Sequence, residues 1–253
     1  MKNDLSIFYP DKKSVLFFIK NFNKIFNQKL TKNFAFPRVV SLSEFNRLIN
    51  YLGLCKFPKV AVISGSVDEP ELNLINYDQS FFLQFDAFSN SYNLDEDWEL
   101  NNKSKIILSQ SLAKKEEYDL VLCNQVLEHI FSPTLALKNI YYLLKKGGHA
   151  WISVPTINCI HGDPYFYSAG YHPRYINRIC KQTGFEVLHI GAWGNRKYLA
   201  YAVQGHWLVH DELKVGFRSK LDLAHPYFAI QDGRKNDTRG SFITDTWALI
   251  KKN

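Results

Sequence analysis

Between Pro155 and Pro173 the chain gathers groups that could handle a proton: His161, Asp163, Tyr165, Tyr167, Tyr171 and His172. An imidazole changes charge near neutral pH, so a histidine beside a hydroxyl-bearing substrate can act as its general base. His161 is the first candidate for that role and His172 the second, with Asp163 able to orient a histidine or to bind substrate. Tyr165 and Tyr167 would hold an acceptor, and such a convergence of polar and aromatic groups suits a substrate site. A phosphate or phosphoramidate oxygen is already anionic and needs cations more than a base; Arg174, Arg196 and Lys197 are the candidates. No metal is expected. His206 and His210 are four residues apart but lack a third ligand, and Cys55, Cys123, Cys159 and Cys180 have no ligand spacing. Reduced thiols in a cytosolic protein are the plain reading of those four cysteines.

These groups need a frame, and residues 118–155 spell one out. Tyr118 to Cys123 is an unbroken apolar run, as expected of a strand covered on both faces. A polar switch follows at Asn124-Gln125, then Val126-Leu127-Glu128-His129. Pro133 suits the first turn of a helix, and Leu135, Ile140, Leu143 and Leu144 recur at helical spacing. Lys145-Lys146 are expected to close that helix and Gly147-Gly148 to stop it, before a second strand from His149 to Val154.

This strand–helix–strand unit resembles the fourth and fifth strands of class I S-adenosylmethionine (SAM) methyltransferases. The matching features are an Asp-Leu-Val strand core, then V-L-E-H, then a helix running into K-x-G-G and a strand ending V-P. The resemblance implies an α/β fold: a doubly wound, Rossmann-like sheet, mostly parallel with an antiparallel last strand. Further strands are expected at Lys59–Ser64, Phe81–Asp86, near Lys105–Leu108, at Glu186–Ile190 and at Thr246–Lys251, with a helix near Pro173–Thr183.

The resemblance also implies a SAM site across the carboxyl ends of the strands. Gly65-Ser66 would allow close backbone approach, and Asp68 or Glu69 would meet the ammonium group. The family's loop is richer in glycine, so Gly65 stands alone here. Asp86, 21 residues after Gly65, would accept both ribose hydroxyls. Asn124, Gln125, Val126 and Leu127 would pass under the cofactor; Glu128 and His129 match a pair that is structural in many members. A second segment, Gly191-Ala-Trp193-Gly194-Asn195-Arg196, resembles a pattern in methyltransferases of bacterial surface-polysaccharide (capsule) pathways. It implies Trp193, Asn195 and Arg196 as acceptor contacts and a sugar hydroxyl or a sugar- or nucleotide-linked phosphoryl group as acceptor. An alternative reading is a methyltransferase-like binding or regulatory protein that has lost catalysis, which the reduced glycine loop would suit. A nicotinamide-dependent dehydrogenase is excluded by the absence of G-x-G-x-x-G after the first strand.

Charge divides the chain. Residues 1–58 carry ten Lys/Arg against three Asp/Glu, while residues 59–253 balance at 21 of each, so the net charge of +7 belongs to the first segment. That segment reads as helices, with Val15, Phe18, Ile19, Phe22, Ile25 and Phe26 on one face and a second helix near Leu42–Tyr51. It is expected as an N-terminal helical cap (1–58) on a methyltransferase-like domain (59–253) with an aromatic, His-rich insertion at about 192–241. Its cations are scattered among aromatics without a nucleic-acid reader motif, so nucleic acid is not the expected partner. Neither a signal peptide nor an apolar membrane span is visible, which makes a cytoplasmic protein the expectation; the insertion could serve a homodimer contact.

Overall fold

The computed structural model describes residues 8, 10, 12–26, 36–54, 56–65, 67–83, 116–161, 166–194, 198–199 and 243–253. Two helices lead, α1 (Lys12–Ile25) and α2 (Phe36–Tyr51). A six-stranded sheet follows: β1 (Lys59–Ile63), β2 (Gln79–Leu83), β3 (Tyr118–Asn124), β4 (Leu144–Pro155), β5 (Phe185–Trp193) and β6 (Asp245–Lys252). Helix α3 (Pro133–Leu143) joins β3 to β4, and α4 (Pro173–Gln182) precedes β5. The strand order is β2-β1-β3-β4-β6-β5. The first four strands pair in parallel, and β6 runs antiparallel to both β4 and β5. This is the doubly wound α/β sheet expected; the strand expected near Lys105–Leu108 lies outside the described residues.

Side-chain alternation along the strands sorts the core into two layers. Val60, Val62, Leu120, Leu122, Trp151, Trp247 and Leu249 face α1 and α2. Ala61, Ile63, Val121, Cys123, Ala150, Ile152, Ala248 and Ile250 face α3 and α4. Helix α2 is buried on most of its circumference, from Val39 and Val40 through Leu42, Phe45 and Leu48 to Ile49, because it lies between α1 and the sheet. Phe45 meets Trp151 of β4 at 5.2 Å between ring centroids. Phe18 and Phe22 of α1 and Phe26 just after it pack ring against ring along one face, edge-on or tilted, and Phe8 extends the sheet edge by hydrogen bonds to Ile190 and Ala192 of β5.

Several expected boundaries move: β2 begins at Gln79 instead of Phe81, and β4 at Leu144 instead of His149. Helix α2 begins at Phe36 instead of Leu42, with Pro37 in its first turn, where a missing N–H costs nothing. Helix α3 ends at Leu143, so Lys145 and Lys146 belong to β4 and do not cap the helix. Across from them the register jumps: Tyr118 pairs with Leu144 but Leu120 pairs with His149. The additional β4 residues form a bulge in which Gly147 takes φ +78 and Lys145 Nζ reaches Asp119. Sequence periodicity could not see this, because Lys145 pairs with a carboxylate of the neighbouring strand and not with helix carbonyls.

Candidate active site

The carboxyl ends of β1, β3 and β4 meet at one edge of the sheet, and the chain is strained at two of them. Ser64, after β1, and Gln125, after β3, are non-glycine residues in the left-handed region (φ 51 and 55). Gln125 is fixed there by its own N–H to Ser153 O (2.8 Å) and by its side chain, which donates to Asp245 Oδ1 (3.1 Å). A Cβ on Gly65 would lie 2.5 Å from Val62 Cγ1 and 2.8 Å from Glu69 Oε2, so only glycine fits this turn as built. Asp68 is exposed, and Ser66 lies outside the described residues.

A hydrogen-bonded chain then runs across the strand ends. Ser153 Oγ donates to Asn124 Oδ1 (2.8 Å), and Asn124 Nδ2 donates to Glu69 Oε1 (2.9 Å). Arg38 of α2 donates to Glu69 Oε1 (2.6 Å) and to both carboxylate oxygens of Glu71. The N-terminal segment therefore supplies the counter-charge to the loop after β1. Burial, followed by the neighbouring Glu71, raises the Glu69 carboxyl above its ordinary range against the pull of Arg38. Glu71 is fully buried in the short 3-10 helix Pro70–Leu74. Sequence reasoning missed Arg38 and Glu71. Their only signal was an arginine directly before the apolar pair Val39-Val40 and a carboxylate next to an apolar turn.

Asp245 was missed as well. Its position opposite Pro155 puts the start of β6 at the carboxyl end of β4, a juxtaposition created by the antiparallel return. The carboxyl is buried, and Oδ2 has no hydrogen-bond partner among the described residues. Burial raises it to about 8, against the Gln125 hydrogen bond and Arg38 that favour its ionised form.

The third element of the site is Leu127–His129, a single 3-10 turn after β3. Its backbone anchors the loop after β4: Tyr167 N and Ser168 N donate to Glu128 O, and Tyr171 Oη donates to Leu127 O (3.1 Å). Gly170 (φ +148) lies flush on that loop's start; a Cβ there would sit 2.7 Å from Pro155 O. The loop after β4 thus folds back on the V-L-E-H motif. His161 meets His129 edge to face at 4.7 Å and Phe166 at 5.0 Å, and its Nδ1 lies 2.9 Å from Cys159 O. The Glu128 side chain points inward, fully buried, and neither oxygen has a hydrogen-bond partner among the described residues. Burial raises its carboxyl to about 7.

The expected site residues therefore separate. Gly65, Glu69, Asn124, Gln125, Val126 and Leu127 come together at the strand ends, and His161 joins Glu128 and His129. His172 instead caps α4: its Nδ1 accepts from Arg174 N, and burial with Arg174 nearby lowers its pKa. Tyr167 is half-exposed against Phe131, and Arg174 is exposed on α4. Trp193 is buried in the apolar layer under α2, where it packs on Tyr198. Asp86, Asp163, Tyr165, Asn195 and Arg196 lie outside the described residues.

Residues 47–190 match the profile of the methyltransferase-domain family, which is more than half of the chain. The chain belongs to that family, in the class that draws its methyl group from S-adenosylmethionine. Solved structures of similar fold include a methyltransferase from Galdieria sulphuraria (11% identity, 96% of this chain and 99% of that one, TM-score 0.50). Others are a SAM-dependent methyltransferase from Archaeoglobus fulgidus (16%, 91% and 98%, TM-score 0.47) and a Haemonchus contortus phosphoethanolamine N-methyltransferase in complex with SAM (15%, 92% and 56%, TM-score 0.45). At these identities the likeness is one of fold. No curated protein matches the chain in sequence.

Proposed function

We propose that the chain is a SAM-dependent O-methyltransferase acting on a small polar acceptor, a sugar hydroxyl or a phosphoryl or phosphoramidate oxygen. The observation that carries this reading is the convergence of Gly65, Glu69, Asn124 and Asp245 at the carboxyl ends of the parallel strands, where ligands of doubly wound sheets bind. The residues suit the methionine end of the cofactor. Gly65 leaves no side chain between backbone and ligand, and Asp245 Oδ2 is a buried acceptor without a partner among the described residues. When bound, the cofactor supplies an activated methyl group on sulfur. The chain's own work is then to align the acceptor and receive or displace its proton.

His161 serves as the acceptor-side base for a hydroxyl, held by Phe166 and by the Cys159 carbonyl, with His129 and Glu128 behind it. Asp86 binds the ribose hydroxyls, Asp163 and Tyr165 line the acceptor side with Tyr167, and Asn195 and Arg196 contact a phosphoryl group. Surface-polysaccharide synthesis as the setting rests on the Gly191–Arg196 pattern. A radiolabelled methyl-transfer screen across sugar, phosphoryl and nucleotide acceptors tests the reaction. Transfer that survives unchanged in His161→Ala refutes the base assignment, and unchanged SAM affinity in Asp86→Ala refutes the ribose assignment.

One observation favours the second reading, a binding protein without catalysis. Glu69, the acid nearest the lone glycine, is already engaged by Arg38. That reading requires no SAM uptake, whereas the first requires a site in which Arg38 and Glu69 stay paired beside the ligand.

A further inference from the structure

Glu128 and His129 are neighbours in sequence, yet both side chains turn toward His161, which arrives from the loop after β4. One donor atom from each of the three lies within 4.8 Å of the others, and Glu128 Oε1 is 4.0 Å from His129 Nε2. Three independent features give this cluster the character of a ligand site. Glu128 is fully buried with neither oxygen hydrogen-bonded among the described residues, and buried carboxylates are normally paired with a cation or bound to a metal. The His161 Nδ1 lies 2.9 Å from the Cys159 carbonyl; with its proton there, the Nε2 lone pair is left for an ion. That outer hydrogen bond from ring nitrogen to backbone carbonyl is the usual support of a metal-binding histidine. Finally, the cluster grades from buried Glu128 through half-buried His129 to exposed His161, so an ion would be held from below and left open toward solvent.

We propose that Glu128, His129 and His161 bind a divalent first-row transition-metal ion. Two imidazoles and one carboxylate suit zinc, iron(II), cobalt(II) or manganese(II) better than calcium, which takes six to eight oxygens. Bonds of about 2.0–2.2 Å draw three such donors to within roughly 3–3.5 Å of one another, so Glu128 and His129 close from 4.0 Å by small side-chain rotations while the exposed His161 turns in to meet them. Three protein ligands leave coordination positions for an acceptor oxygen. That last part rests on the methyl-transfer reading; the ion site itself does not. Under it, the His161 nitrogen holds the ion instead of taking a proton, and the ion positions the hydroxyl or phosphoryl oxygen.

The test is calorimetric titration of the chelator-stripped, full-length protein with zinc chloride, repeated with cobalt chloride followed by visible absorption. SAM affinity is measured on the same samples. One equivalent of metal should bind, at least tenfold more weakly in His161→Ala and in Glu128→Gln. His161 is exposed, so His161→Ala keeps the fold even if the buried substitution does not, and circular dichroism checks both. No stoichiometric uptake by the parent protein, or an affinity unchanged in His161→Ala, overturns the proposal. If SAM binds while metal does not, the ion site fails alone. If metal binds in a His161-dependent way while SAM does not, the ion site stands and the methyltransferase reading fails.

Discussion

Gly65 is the residue on which the proposed cofactor site turns, because a side chain there would meet Val62 and Glu69. Gly65→Val would force its branch against Val62 and displace the Glu69 carboxylate, which is the end of the hydrogen-bonded chain from Ser153. SAM affinity should fall at least tenfold by calorimetry, and unfolding stability by about 1–3 kcal/mol, the usual cost of overpacking. Asp245 makes a different prediction. Its carboxyl is raised to about 8 by burial, so folding favours the protonated form, and the stability it contributes is present at low pH. That contribution is lost as pH rises from the unfolded carboxylate range toward 8, and Glu128, raised to about 7, acts in the same direction. Urea unfolding of the unliganded protein should show it several kcal/mol less stable at about pH 8 than at about pH 5. Asp245→Asn should flatten that slope; a slope of opposite sign, or one unchanged by the substitution, would show that Asp245 ionises freely in the folded state.

At the scale of elements, α2 does two jobs: it covers the sheet with Phe45 and Leu42, and it delivers Arg38 to Glu69 and Glu71. Removing the cation leaves two buried carboxylates facing each other. Arg38→Met should cost about 3–5 kcal/mol in chemical denaturation, the range for breaking a buried ion pair from one side. Adding Glu71→Gln should recover part of that loss, because it removes one of the stranded charges; no recovery would mean that Arg38 acts through packing alone. The strand–helix–strand unit was legible in the sequence because each of its elements is locally consistent: apolar run, switch, Pro133, helical spacing, strand. The bulge at Lys145–Gly148 was not, since it depends on Asp119 in another strand. The Arg38 pairing was not legible for the same reason, being a contact 31 residues apart in sequence. His172 shows the converse: a residue type that suits a base also caps α4, and the signal for the cap, Pro173 directly after it, is in the sequence.

At the scale of the molecule, the N-terminal segment is joined to the sheet by shared core and by charge. The Phe18–Phe22–Phe26 cluster and the Phe8 bridge lie on the same structure that carries Gly65 and Asp245. Deleting residues 1–26 should expose the apolar face of α2, and size-exclusion chromatography should find the product aggregated or poorly soluble. A monomeric truncated protein of full stability would show α1 to be an appendage. No helix among the described residues is long and apolar enough to cross a membrane. Among the described residues, α1 lies over α2 over a mostly parallel sheet, and polar groups gather where β1, β3, β4 and the start of β6 meet. Calorimetric titration of the full-length protein with SAM and with its demethylated product asks whether this edge binds the cofactor. One molecule of either should bind per chain, at micromolar concentrations, with the affinity lost in Gly65→Val; no binding of either ligand at millimolar concentration would mean that this edge is not a SAM site.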